Sequence, residues 1–264
     1  MLKANYHTHT SRCGHAGSYA DEEYVAAAAQ AGYQVLGMSD HSPWPYAGSY
    51  TNPTVRMPVS QLDEYLDSMA GLREQYRDRL RLYIGLECEF FPAYLSWMKE
   101  VASRIDFIIL GNHFRESDEL HEPYFGRTTT PERIRQYVDY TLRGMETGLY
   151  RCLAHPDFVF SNYAEFDDHC RQASRELCRA SKALHIPLEY NLYGVEKAER
   201  KLFKGLGYPC PAFWEIAAEE GCQAIIGVDA HRPDHMLVPQ REQAAADYLT
   251  GLGIELLDFL PGLE

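Results

Sequence analysis

The chain has 264 residues, of which 45% are hydrophobic, and a formal charge of −13 with pI near 5.3, so it can bury a sizeable core behind an acidic exterior. That exterior repels phosphate backbones and argues against nucleic acid as a partner. No stretch supplies the roughly 18 consecutive apolar residues of a membrane span. The opening MLKANYHTHTS lacks the apolar core of a signal peptide, and seven scattered cysteines without a C-x-x-C pair read as reduced thiols. The expectation is a cytoplasmic protein that neither enters membranes nor binds nucleic acid; the oligomeric state is left open.

Short apolar runs alternate with segments of helical periodicity along the chain. A run at Ala4–Tyr6 precedes a helix over Ala20–Ala31, and a run at Gln34–Met38 precedes one over Ser60–Tyr76. Runs at Arg81–Leu86 and Phe107–Leu110 lead into helices over Ala93–Ser103 and Pro131–Thr147. Cys152–Ala154 is followed by a helix over Phe166–Leu184, Pro187–Tyr190 by one over Pro211–Glu220, and Ala224–Val228 closes the series. Pro131 and Pro211 suit first-turn positions, and Gly32, Gly148 and Gly221 suit C-caps. Seven strands alternating with helices predict a parallel sheet, as a barrel or as an open doubly wound layer, in one domain over residues 1–264. A last run, Ile254–Leu260, either adds an eighth strand or packs beneath the barrel. The proline-rich stretch Ser42–Pro58 reads as a loop lying over the strand ends.

Seven of the eleven histidines fall at or just beyond the ends of these runs: His7, His9, His15, His41, His113, His155 and His231. Asp40, Glu87, Glu89 and Asp229 sit at equivalent places. Strand C-termini of parallel α/β folds converge on one face, where barrel enzymes place their sites. Residues i and i+2 of a strand share a face, so His7 with His9, and Asp229 with His231, can reach one cation together. Imidazole and carboxylate suit Zn, Mn or Fe. The set exceeds the four ligands of one tetrahedral zinc, so two or three divalent transition metal ions are expected. Glu89 would stand behind a ligand rather than be one. Cys13 reads as a loop thiol, and His121, His169, His185 and His235, away from strand ends, read as structural.

The segments His7-Thr8-His9-Thr10, Ser39-Asp40-His41-Ser42, Gly85-Leu86-Glu87, Gly111-Asn112-His113-Phe114, Ala154-His155-Pro156-Asp157 and Gly227-Val228-Asp229-Ala230-His231 run in order across nearly the whole chain. With them the chain resembles the PHP (polymerase and histidinol phosphatase) family, and within it most of all the histidinol-phosphate phosphatases. The resemblance implies a distorted (β/α)7 TIM-like barrel and a trinuclear centre. The first ion would take His7, His9, Glu87 and Asp229, the second Glu87, His113 and His155, and the third His15, His41 and His231.

The implied activity is phosphomonoester hydrolysis by a metal-bridging hydroxide, with L-histidinol phosphate as the leading substrate. Asp40, Glu87 and His231 are the expected catalytic groups, with Asp40 or a water protonating the leaving group. Arg115, Arg127 and Arg232 are the expected phosphate contacts, and Glu189, Glu196 or Asp157 would receive the substrate amine. Two departures from the family stand out: FIILGNHF at Phe107–Phe114 in place of a Gly-Ser-Val-His form, and Glu196 where those phosphatases offer an arginine. The alternatives are another substrate on the same scaffold, such as a phosphotyrosine, a phosphodiester or an amidohydrolase substrate, and a binding module that keeps a structural metal.

Overall fold

Strand order follows chain order throughout the computed structural model, which describes residues 2–264. The eight parallel strands are β1 (Ala4–Asn5), β2 (Val35–His41), β3 (Arg81–Cys88), β4 (Phe107–Leu110), β5 (Cys152–Leu153), β6 (Leu188–Asn191), β7 (Gln223–Gly227) and β8 (Glu255–Leu256). Helices α1 (Asp21–Gln30), α2 (Leu62–Tyr76), α3 (Leu95–Ala102), α4 (Pro131–Met145), α5 (Asp168–Leu184), α6 (Leu192–Glu199), α7 (Pro211–Glu220) and α8 (Pro239–Gly251) lie between them. None of these helices is long and apolar enough to cross a membrane.

The sheet curls until its first strand meets its seventh, which makes it a distorted TIM-like barrel rather than an open layer. Beyond β1, Thr8 bridges in parallel to Ala230; His9 N donates to Ala230 O at 2.9 Å, and Ala230 N donates to His7 O at 3.1 Å. At its other end β7 pairs instead with β8, Gln223 opposite Glu255 and Ala224 opposite Leu256. The barrel is thus closed by seven strands at the C-terminal rim and forked at the base. The final run does both things the sequence allowed: it forms β8, and its continuation packs underneath. Leu260 and Leu263 join Tyr6, Val35, Phe107, Ile109, Cys152, Ala154 and Ile225 in an apolar plug inside the barrel.

Alternation along each strand separates this plug from the outer core. Leu36 and Met38 of β2, and Leu82, Ile84 and Leu86 of β3, face the helices, while Val35 faces in. Above the plug the inward positions turn polar. The switch is abrupt in the first segment, where Tyr6 belongs to the plug and His7 to the polar layer. Asn5 holds that kink: its Oδ1 accepts from His7 N and Val228 N (3.1 and 2.9 Å), and its Nδ2 donates to His7 O and Thr8 Oγ1 (3.1 and 2.8 Å).

Two helices go beyond the six expected from periodicity. α6 starts directly after β6, capped by Asn191, whose side chain accepts from Gly194 N at 2.8 Å. α8 buries only Ala245 and Leu249, too thin an apolar stripe to register as a period. Leu260→Ala should open the plug and cost about 2–5 kcal/mol of stability, read as a lower urea midpoint. A variant indistinguishable from the parent would show that the plug does not support the barrel.

Candidate metal centre

All seven histidines expected at the strand ends come together at the closed rim; six of them line a cavity of about 240 Å³, and His7 meets Glu87 and His9 outside its wall. Glu87, at the end of β3, stands in their midst and is 1% exposed. Its Oε1 is 2.8 Å from His155 Nε2 and 3.5 Å from His113 Nε2. Its Oε2 is 3.1 Å from His41 Nδ1, 3.4 Å from His7 Nε2 and 3.6 Å from His9 Nε2. Asp229 Oδ1 lies 3.1 Å from His9 Nε2 and 3.5 Å from His7 Nε2. On the far side His15 Nε2 and His231 Nε2 are 3.0 Å apart.

Room for Glu87 comes from its neighbour strand. A Cβ on Gly111 would sit 1.9 Å from Glu87 Oε1, and one on Gly227 would sit 1.8 Å from Glu189 Oε1, so both carboxylates occupy space that only glycine leaves free. His155 and Asp229 are held at φ of 30° and 53°, a region that costs a non-glycine residue of order 1–3 kcal/mol. The backbone is bent at these two strand ends to aim the side chains inward, and His155 ends β5 after two residues.

The charges fit cations. Burial would raise the pKa of Glu87, yet His113, His41, His7 and the hydrogen bond from His155 hold it well below the carboxylate range. Asp229 is held low against burial by His7, His231 and His9. Burial drives His41 well below the ordinary imidazole value against the pull of Glu87, with His9, His15 and His113 adding to the drop. His231 falls likewise through burial and His9. His41 Nδ1 and Asp229 Oδ1 are buried without a hydrogen-bond partner, and His7 Nε2 faces His9 Nε2 at 3.1 Å. His7 and His9 are instead pushed well up against burial, His7 by Glu189, Asp229 and Glu87 and His9 by Asp229 and Asp40, so positive charge already gathers on the buried carboxylates. Imidazoles and ionised carboxylates converging in this way form a donor set that suits divalent metal, which would take the place of those protons.

A set of residues behind the histidines fixes them, among them Glu89, expected in such a place, and Glu189, expected instead to receive a substrate amine. Glu189 Oε1 takes His7 Nδ1 at 2.7 Å, while its Oε2 accepts from His155 N and from Asn191 Nδ2, each at 3.0 Å; it lies beneath the cluster, out of reach of a substrate amine. Asn191 also donates to Asp229 Oδ2 at 3.1 Å. The spacing Glu189-x-Asn191 repeats that of His7-x-His9, the signal that could have placed both here. Glu89 backs His113, its Oε1 3.3 Å from Nδ1, and is itself gripped by buried Arg56 at 2.8 and 3.0 Å and by Trp44 Nε1 at 3.2 Å. Arg56 belongs to the loop over the strand ends, as do Thr54 and Val55 in the cavity wall; Thr54 O is 3.1 Å from His15 Nδ1.

Asp40 departs from its expected part as general acid. Its Oδ2 is bound by Thr10 N and by the Thr10 hydroxyl, its Oδ1 accepts from His41 N at 2.8 Å, and it sits 3.5 Å behind His9 Nδ1, away from the cavity. The three expected phosphate-binding arginines also lie outside the cavity wall: Arg115 pairs with Glu122, Arg232 with Asp234 at 3.0 Å, and Arg127 is exposed. Asp157 is buried against Cys210 N at 2.5 Å, with a pKa that burial pushes up to about 7, and Glu196 faces Arg241 and Arg200, both at 3.4 Å. Cys13 is fully buried, its sulfur grouped with His15 and His231 and with His9 and Asp40. His121 and His185 cap a 3-10 turn and α5, in keeping with structural roles.

One cation does line the cavity. Lys197 of α6 places Nζ 4.0 Å from the centre of the Tyr193 ring and 3.4 Å from Tyr208 Oη, and among the described residues no carboxylate pairs with it. Burial lowers its pKa, only partly opposed by Asp229 and Glu196.

A PHP domain is matched over residues 5–193. The chain belongs to the PHP family. A probable histidinol-phosphatase of Deinococcus radiodurans is 27% identical over 233 residues, covering 86% of this chain and 85% of that protein. One from Schizosaccharomyces pombe is 24% identical, covering 95% and 87%. The histidinol phosphate phosphatase of Lactococcus lactis, solved with zinc, L-histidinol and phosphate, shares the fold with a TM-score of 0.72 at 18% identity, over 97% of this chain and 96% of that one. In this PHP chain the imidazole and carboxylate donors are gathered at the closed end of the barrel.

The grip on Glu89 is testable. Arg56→Met should leave the buried carboxylates of Glu89 and Asp118 without their guanidinium and cost on the order of 3–5 kcal/mol, whereas Arg56→Met with Glu89→Leu should recover part of it in urea unfolding, Asp118 remaining unpaired. A single variant as stable as the parent would contradict this account of the loop.

Proposed function

We propose that the chain hydrolyses a small phosphate monoester, with L-histidinol phosphate the first candidate, on a centre of three divalent ions. The observation that carries the reading is the split engagement of Glu87, whose two oxygens face different histidines. The first ion would be held by His7, His9, Glu87 and Asp229, the second by Glu87, His113 and His155, and the third by His15, His41 and His231. Zinc in the Lactococcus structure, and the names of the relatives, support a divalent metal and this substrate. When bound, such ions lower the pKa of water from 15.7 toward about 7 and neutralise charge on the phosphoryl oxygens.

The chain's own residues orient the rest. Glu189 and Glu89 fix the rings of His7 and His113 so that their other nitrogens point at Glu87. Asp40 lies behind His9 in the same manner. Lys197 takes the place of the expected arginines: an unpaired, half-buried ammonium facing the cavity is satisfied by the phosphoryl group. The aromatic wall and the loop carrying Thr54 and Val55 limit water around the ester.

Two measurements test this. The metal-loaded enzyme should show kcat/KM for L-histidinol phosphate at least about tenfold above those for sugar, amino-alcohol and nucleotide phosphates, or about 1.4 kcal/mol of discrimination. A flat profile would remove the substrate, and no turnover of any ester would remove the phosphatase reading. Lys197→Met should lower kcat/KM by about tenfold or more, the scale of one charged hydrogen bond. Unchanged kinetics would exclude Lys197 as the phosphate contact.

A further inference from the structure

Above the ligand cluster the cavity wall is aromatic. Tyr124, Phe158 and Tyr208 meet edge to face, with centroids 5.4 Å apart between Tyr124 and Phe158 and 6.2 Å between Phe158 and Tyr208. Tyr193 stacks on His231 at 4.9 Å. Among the described residues the only carboxylates reaching this cavity are Glu87 and Asp229, both inside the histidine cluster. The acids nearest in sequence are engaged elsewhere: Glu189 beneath His7, Asp157 against Cys210 N, and Glu196 beside Arg200 and Arg241. The Lys197 ammonium already covers the Tyr193 ring and the Tyr208 hydroxyl. A positively charged leaving group would therefore find no carboxylate outside the histidine cluster to pair with, whereas a flat neutral ring would meet an aromatic wall.

From this we propose that the site recognises the alcohol half of its ester by an uncharged aromatic ring and does not read an ammonium group on it. The substrate class is a phosphate monoester of a small aromatic or heteroaromatic alcohol. The inference rests on the phosphatase reading above and narrows it. The imidazole of histidinol, mostly neutral above its ordinary pKa of about 6.5, belongs to this class; its amine is a passenger.

The test compares three esters on the metal-loaded enzyme at about pH 8, where a free imidazole is neutral. They are L-histidinol phosphate, its des-amino analogue 3-(imidazol-4-yl)propyl phosphate, and 2-aminoethyl phosphate, which keeps an amine and lacks the ring. Removing the amine should change kcat/KM by less than about threefold, and removing the ring should lower it by about a hundredfold, within the range that side-chain pockets discriminate. Tyr124→Ala, at a residue 38% exposed and so tolerant of truncation, should narrow the gap between ring-bearing and ring-less esters. A loss of about tenfold or more on removing the amine, or comparable turnover of 2-aminoethyl phosphate, would overturn the inference while leaving the phosphatase reading standing. Failure to hydrolyse any of the three would remove that reading and the inference with it.

Discussion

The structure turns on one buried carboxylate. Glu87 is sealed from water and stays ionised, which is costly unless positive charge or strong donors surround it. His155 and His113 approach one of its oxygens, and His41, His7 and His9 the other. Those five rings come from four separate strand ends or the segments just beyond them, so the position of a single side chain depends on the closure of the whole barrel. Closure depends in turn on the main-chain contacts between Thr8–His9 and Ala230, which bring the first and last ligand-bearing segments side by side.

Several features that look unrelated serve that arrangement. Gly111 gives Glu87 its space, and Gly227 does the same for Glu189, which then holds His7. His155 and Asp229 accept strained backbone conformations so that two more donors turn inward. Arg56 links the loop over the rim to Glu89 and through it to His113, while Thr54 of the same loop touches His15. The loop thus packs against the donor cluster at two points. Lys197 and the tyrosines then define the space left for the ester.

The parts of this legible in the sequence are those with short-range signatures. The strand positions showed as apolar runs, and the histidines as residues ending those runs, with the i, i+2 spacing of His7 and His9 reporting a shared face. Whether the sheet was closed or open was not legible, because Thr8 and Ala230 are 222 positions apart and meet through backbone groups that no side-chain pattern records. Asp40 lies beside His41 in the chain, which suggested a group facing the substrate; adjacent strand residues point to opposite faces, and Thr10 takes up the carboxylate. Lys197 leaves no short-range signature: it sits between Glu196 and Glu199 on a short helix, and only tertiary packing turns its ammonium toward the cavity. Arg115 and Arg232 lie close to ligands in sequence, yet both find acidic partners in their own loops.

The central claim, that Glu87 is shared between cations, is tested most directly by counting metal. Purified protein reconstituted with zinc and freed of excess should carry two to three equivalents per chain by elemental analysis, and Glu87→Gln should lose at least one of them while keeping its far-UV circular dichroism. A parent protein holding one equivalent or none, or a folded Glu87→Gln variant with undiminished metal, would contradict the account.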